Sequence, residues 1–530
     1  MQQDYIPFCN TGYFSSLICD YLEEKNEVKS FYNRFPKLEN FKDQIKEKST
    51  SFKAQSRTVL VDSLKKQYHN IDASKGTLQN IELLKADSTF TITTGHQLNL
   101  FTGPLYFLYK IISAINLSKA LKEAYPKYNF VPVYWMATED HDFEEINYFN
   151  FRGKKIQWNK ETKGAVGELP TDGLDKVYKL FSKELGDSKN ADYLKNLFEK
   201  AYTKHNNLAD ATRFLANQLF AAYGLVIIDA NDADLKKQFI PFIKDELLNQ
   251  TAFNTVSKTN NKLEKAYNIQ VNPREINLFY LKENLRERIV FENNIYKING
   301  TDITFTKAEI LDEVKEHTNR FSPNVIMRPL YQEVILPNLC YIGGGGELAY
   351  WFQLKQFFNT AEVPFPILLL RNSVLVQTEQ QSEKLKRLNI SNEDLFLKRD
   401  AFINKKVREI SNISIDFLSQ KEHLKQQFKD LYKLAEQTDK SFIGAVKAQE
   451  VKQLKGLDNL EKRLLKAQKK KLSDQVSRMI EIQNELFPNG SLQERNTNFS
   501  EFYLEYGEQL IPNLIKSLQP LKSEFLILNI

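Results

Sequence analysis

His141 stands between two carboxylates, Asp140 and Asp142, with Glu139 before them and Glu144 and Glu145 after. A carboxylate beside an imidazole orients the ring and favours its protonated form, which suits it to carry a proton to or from a substrate. The same side chains are ligands for Mg²⁺ or Zn²⁺, so the rival chemistry is metal-dependent hydrolysis or deacetylation through Glu139, Asp140, His141 and Asp142. Acids adjacent on a turn point in different directions. Two or three of them converge at most, and others serve as a helix N-cap and first-turn charges. A second histidine lies in Gly95-His96-Gln97, directly after a β-branched run, where its ring donates to a phosphate or carboxylate. The third cluster is Gly343-Gly344-Gly345-Gly346-Glu347, whose backbone N–H groups, at the start of an amphipathic helix, cradle an anion. Neither G-x-G-x-x-G spacing nor the Lys-Ser or Lys-Thr of a Walker A loop is present there. Cys340 reads as a small buried hydrophobe in preference to a nucleophile.

Side chains so far apart meet only if strands deliver them to one edge. Thr91 to Thr94 and Val131 to Met136 are β-branched or aromatic runs ending in polar residues, and Pro104 to Ala124 between them reads as a helix with proline at its start. Leu225 to Asp229, Val334 to Ile342 and Pro366 to Arg371 repeat the buried-strand signature. Parallel strands near residues 91, 131, 225, 335 and 366 give an α/β fold, a doubly wound Rossmann-like sheet whose polar tips are His96, Glu139 to Asp142, Asp229, the glycines and Arg371. Residues 1–375 form this core, with N-terminal helices and inserted modules at about 151–222 and 235–325. Residues 376–490 lack the strand signature, and Leu424, Phe428, Leu431 and Ala435, then Val451, Leu454, Leu457, Leu460 and Leu464, follow coiled-coil spacing. A turn near Thr438 to Ser441 folds them into a long antiparallel hairpin. Residues 491–530 pack back on the core through a closing run, Phe525 to Leu528.

A net charge of +6 and a pI near 8.7 are mild, and no zinc knuckle or aromatic-interleaved basic patch points to nucleic acid. No run of 18 apolar residues reads as a membrane span, and the first residues lack a signal peptide's regions. Three cysteines without metal-type spacing suit a reduced, cytoplasmic setting.

Four stretches carry a resemblance: Thr94 to Tyr106, Trp135 to Asn147, Phe321 to Val325 with Arg328 to Glu333, and Tyr341 to Trp351. In this order they resemble the bacillithiol biosynthesis cysteine-adding enzymes, and the likeness extends through the coiled coil and Gln493-Glu494-Arg495. Gly95-His96-Gln97 departs from the family's usual Gly-Gln-Gln, and the all-glycine loop lacks a common proline. The resemblance implies a nucleotidyl-transferase-like Rossmann core, a coiled coil that forms a homodimer, and joining of L-cysteine to glucosaminyl-malate as the last step of bacillithiol biosynthesis. Amide formation needs the carboxylate activated, by ATP or another nucleotide. The H-I-G-H and K-M-S-K-S motifs that grip ATP in class I synthetases are absent in that form, and a metal requirement stays open. On this reading His141, with Asp140 or Asp142, deprotonates the sugar ammonium. Gly95, His96, Gln97, Thr102 and Gly103 position substrate, and Arg328, Gly343 to Gly346, Glu347 and Arg371 bind anionic groups.

Overall fold

The computed structural model describes residues Gln2–Ile530. Two compact units divide them, one of Gln3–Leu375 with Leu492–Leu528, the other of Val376–Ser491 with Gln2 and Asn529–Ile530. At the centre of the first lie five strands: β1 (Thr89–His96), β2 (Asn129–Met136), β3 (Val226–Asp229), β4 (Asn338–Gly343) and β5 (Ile367–Leu370). Their order across the sheet is β5-β4-β1-β2-β3, and every neighbouring pair is parallel. Burial on both faces explains why these segments read as continuous apolar runs. The order reverses between β1 and β4, and sheets of this kind take their ligands beyond the strand ends at that reversal.

Helix α1 (Tyr106–Ala124) joins β1 to β2 and packs Ala114, Leu117 and Leu121 against Ile92, Leu339, Ile342 and Leu369. A polar row runs through this apolar interior. Thr93 Oγ1 donates to Asn338 Oδ1 at 2.9 Å, Asn338 Nδ2 donates to Glu333 Oε1 at 2.6 Å, and Lys48 Nζ meets Glu333 Oε2 at 3.0 Å. Each member has a partner, as burial of polar groups requires.

The fourth strand begins at Asn338 and not near 335. Arg328–Ile335 is helix α2, with Pro329 in its first turn, and Pro337 separates it from the strand. Val334-Ile335 suits either element by composition, and the prolines decide between them. The amphipathic stretch after the glycines is two helices, α3 (Gly345–Gln353) and a shorter one over Lys355–Thr360. The N-terminal helices are preceded by a strand, Gln2–Pro7, in a region whose composition reads as helical.

Two insertions interrupt the sheet. The first carries a hairpin, Tyr148–Phe151 with Lys154–Gln157, and three helices ending at Phe220. The second follows β3 with helices over 233–263 and an antiparallel sheet in which Leu285–Glu292 pairs with Leu278–Lys282 and Ile295–Ile298. Residues 492–528 return to the core. Asn498 Nδ2 donates to the carbonyls of Phe101 and Gly103 at 2.8 and 2.6 Å, and Asn116 Nδ2 donates to those of Ile515 and Leu518 at 2.8 and 2.7 Å.

In the second unit Leu418–Ala435 and Lys440–Lys471 form an antiparallel helical hairpin, with Asp439 capping the second helix. Phe428, Ala435 and Val446 are buried in its seam, but Leu431, Val451 and Leu460, expected there too, are exposed. Lys421 is used within the hairpin, 2.7 Å from Asp458 and 2.9 Å from Glu461. Among the described residues no helix is long and apolar enough to cross a membrane.

Candidate active site

Beyond the ends of β1, β2 and β4 open two adjoining cavities. The first, of about 780 Å³, is lined by Gly95 to Gln97, Trp135 to Asp142, residues of the second insertion including Arg274, Phe279, Arg286 and Arg288, and Arg328 and Tyr341. The second, of about 510 Å³, is lined by Tyr106, Lys110, Glu145, Gly344, Gly346, Arg371 and Arg495. His96, Gln97, Glu347 and Tyr350 face both. The histidines and the glycine segment therefore share one rim of the sheet, but in two chambers.

The turn after β2 spends most of its acids on holding itself. Asp140 Oδ1 accepts the N–H groups of His141 and Asp142 at 2.7 and 3.4 Å, and its Oδ2 accepts from Gln97 Nε2 at 2.9 Å. Gln97 also donates to Glu145 Oε2 at 2.9 Å. Glu139 is paired at 2.5 Å with the buried Lys236, and Asp229 accepts from Thr138 Oγ1 at 2.5 Å. Two carboxylates flank the ring: Asp140 Oδ1 is 3.7 Å from His141 Nδ1, and Asp142 Oδ1, which has no backbone bond of its own, is 3.8 Å from Nε2. Partial burial and the neighbouring Asp140 push the Asp142 carboxyl above the usual aspartate range.

The other ring nitrogen of His141, Nδ1, lies 2.6 Å from Arg286 Nη1. A guanidinium only donates, so Nδ1 supplies a lone pair and the proton of the neutral ring sits on Nε2, toward Asp142. Arg286 stacks 3.9 Å from the centre of the Phe279 ring, and its Nε is buried with no partner. Ligand atoms of Asp140, His141 and Asp142 lie within 4.8 Å of one another, and Arg286 occupies the Nδ1 side of that cluster.

His96 has the opposite tautomer. Its Nδ1 is 2.8 Å from the Gln97 carbonyl and must donate to it, which leaves Nε2 as a buried lone pair without a partner. Burial, with Lys110 and Arg371 nearby, holds its pKa down to about 3. In this tautomer the free Nε2 is an acceptor, the reverse of the donation to an anion expected from sequence.

The glycine segment is tighter than an open loop. Gly344 N–H donates to Glu347 Oε2 at 2.8 Å, Glu347 Oε1 pairs with the buried Lys110 at 2.6 Å, and Gly345 faces Ile18 and Phe14. Only Gly344 and Gly346 reach the second cavity. A Cβ at Gly343 would lie 2.9 Å from both Glu347 Oε2 and Leu348 Cδ1. Gly343→Ala is expected to lower stability by about 1–3 kcal/mol, read by urea unfolding, because the added methyl crowds the start of α3.

Two expected substrate contacts lie elsewhere. Thr102 and Gly103 line neither cavity; their turn is buried, with Phe101 packed among Phe149, Phe181, Phe198 and Phe499. Gly103, at φ +62°, would bring a Cβ to 2.7 Å from Asn99 Cβ, so glycine there serves the turn. Arg371 is buried against Glu494 at 2.8 Å, and only its Nε lacks a partner. Arg328 lies between the rings of Trp135 and Tyr341, 5.7 and 5.6 Å from their centres, and bonds Gln332 and Tyr350.

The first cavity holds charges of both signs, since Asp140, Asp142 and Glu287 line it beside the arginines. Among the described residues, none of Arg274, Arg286, Arg288 and Arg328 forms an ion pair with a carboxylate, whereas Glu139 and Glu347 are each matched by a lysine. Unmatched guanidinium groups around a cavity select an anion, and their planar donor pairs fit carboxylates or phosphates. Arg274, Arg286 and Arg288 were missed from sequence. The alternation Arg286-Glu287-Arg288 in a strand puts both arginines on one face, a signal open to reading once the strand is placed.

Residues 1–372 match the family described as bacillithiol biosynthesis BshC, N-terminal Rossmann-like domain, and residues 374–530 match its C-terminal coiled-coil domain. A relative from Flavobacterium johnsoniae is 63% identical over 530 residues, covering 100% of both chains. One from Christiangramia forsetii is 59% identical over 100% of this chain and 99% of its own, and one from Bacillus mycoides is 27% identical over 94% and 95%. All three bear the provisional name cysteine ligase BshC.

Proposed function

We propose, from the premise that this chain belongs to the bacillithiol biosynthesis BshC family, that it joins the carboxyl group of L-cysteine to the amine of glucosaminyl-malate. The observation that carries this reading is the set of four arginines without carboxylate partners around the first cavity, beside His141 and Asp142. The acceptor sugar bears a malyl group with two carboxylates, and its amine, an ammonium at neutral pH, must lose a proton before it attacks. The arginines hold the carboxylates, and His141, oriented by Asp142, takes the proton.

A free carboxylate is a poor electrophile, and a nucleoside triphosphate supplies the energy by converting it to an acyl-adenylate or acyl-phosphate. The second cavity suits the phosphates: Arg371 Nε is an unmet buried donor there, with Arg495 and the two glycines at the start of α3 beside it. The lone pair of His96 accepts from an N–H or O–H of the bound molecules. A cytoplasmic location and pairing of two copies complete the reading; exposed Leu431, Leu434, Val451 and Leu460 on the helical hairpin support the pairing. Metal-dependent hydrolysis finds no support, since the relatives carry a ligase name and Glu139 is tied to Lys236.

The test is incubation of the full-length protein with glucosaminyl-malate, cysteine and each nucleoside triphosphate in turn. Expected is a product whose mass is the sum of the two substrates less one water, with phosphate or pyrophosphate released. No such product with any triphosphate would overturn the proposal.

A further inference from the structure

We infer that Arg286 is a substrate-operated clasp on His141: a two-carboxylate group entering the first cavity draws the guanidinium away from Nδ1 and frees the lone pair that takes the proton. The inference rests on the ligase reading for the identity of the reaction, and its measurements do not.

In the structure Nδ1 is blocked, because Arg286 Nη1 lies 2.6 Å from it. Nε2 carries the ring's proton toward Asp142, 3.8 Å away, so neither nitrogen is ready to accept one from a substrate. Yet the contact that blocks the ring is weakly held. The ring is held by one hydrogen bond from a charged donor to a neutral acceptor; Arg286 also stacks on Phe279, a contact it keeps while its fork turns, and its Nε is buried with no partner and no carboxylate within ion-pair distance among the described residues. A ligand carboxylate offers two parallel charge-assisted bonds in place of that one. Arg288 follows two positions along the same strand, on the same face, and Arg274 also lines the cavity, so a second carboxylate finds its own donors. The catalytic ring is thus unmasked only when the correct acceptor sits beside it. Arg286 binds the acceptor directly and sets the state of His141 in the same movement.

L-Malate alone, which has two carboxylates and neither amine nor thiol, is the probe, added to full-length protein labelled with ¹⁵N-histidine. Saturating malate is expected to shift the His141 ring signals, identified by their loss in His141→Ala; 2-hydroxybutyrate, which lacks the carboxylate that Arg288 and Arg274 would hold, is expected to need at least about tenfold more ligand for the same shift. Arg286→Gln is expected to weaken malate binding about tenfold or more by calorimetry, a loss typical of one charge-assisted contact. His141→Ala is expected to bind malate several-fold more tightly, since the competitor for the guanidinium is gone; a purely structural Arg286 would show no such gain. Unmoved His141 signals at saturation, equal malate affinity in His141→Ala and wild type, or failure of malate to bind each overturns the inference. If Arg286→Gln does not fold, the His141→Ala comparison decides alone. A protein that passes these tests but forms no amide with any nucleotide would sink the ligase reading and leave the clasp standing.

Discussion

Replacing Glu494 by alanine is expected to cost about 3–5 kcal/mol of folding stability, measured by urea unfolding at neutral pH, because it leaves Arg371 charged and unmatched in the interior. Arg371 and Glu494 have side chains only 4% and 1% exposed. Glu494 Oε1 takes Arg371 Nη2 at 2.8 Å and its Oε2 takes the N–H of Val374 at 3.0 Å, so one truncation strands both a cation and a backbone donor. The double variant Arg371→Met with Glu494→Leu should recover the part of the loss that comes from the orphaned charge, while the Val374 N–H stays unmet. A Glu494→Ala protein as stable as wild type would mean that water or another group reaches Arg371. Activity measured beside stability separates the two roles of this arginine: the double variant should fold and still lose affinity for the nucleotide, because a guanidinium lining the second cavity is gone.

The second large effect lies at His141. Alanine there is expected to lower kcat by about 10²–10⁴, the usual contribution of a positioned general base, without raising KM for the sugar. Asp142→Asn should follow it in kind, since the amide cannot stabilise the imidazolium as a carboxylate does. The pH profile carries a sign. Asp142 acts as a carboxylate, and burial with Asp140 beside it raises its pKa, so kcat/KM should fall as pH drops through a value above the ordinary aspartate range. The part of the acid limb that Asp142 sets should be lost in Asp142→Asn, while protonation of His141 itself still removes the base. Wild-type turnover in His141→Ala would remove the ring from the mechanism.

The sheet was legible in the sequence because its strands are buried on both faces. Phe90-Thr91-Ile92, Val131 to Met136 and Ile367 to Leu370 have no solvated side, so composition alone marks them, and the polar residue at which each stops marks the rim. The run at Val334 misled for the same reason in reverse, since an apolar β-branched pair fits a buried helix as well as a strand. Of the site, the elements at strand ends were readable: His96, the acids after β2 and the glycines after β4. What each side chain does there was not. Whether Asp140 faces a substrate or its own backbone, and whether Arg371 is a free cation or half of a pair with a residue 123 positions later, is set by contacts that spacing does not encode. The alternation Arg286-Glu287-Arg288 could be read as one face of a strand, but not that this strand, 145 residues after His141, delivers the arginine that touches it.

The return of residues 492–528 to the core bears on how the molecule is made. Thr497, Asn498 and Glu494 supply partners to Leu105, to the carbonyls of Phe101 and Gly103, and to Arg371, all of which leave the ribosome before the helical hairpin does. At ordinary elongation rates the nascent sheet waits roughly 6 to 25 s for them. Over that interval it holds a buried cation and open carbonyls that nothing yet answers, and the newborn chain is then most exposed to proteases and most in need of chaperones.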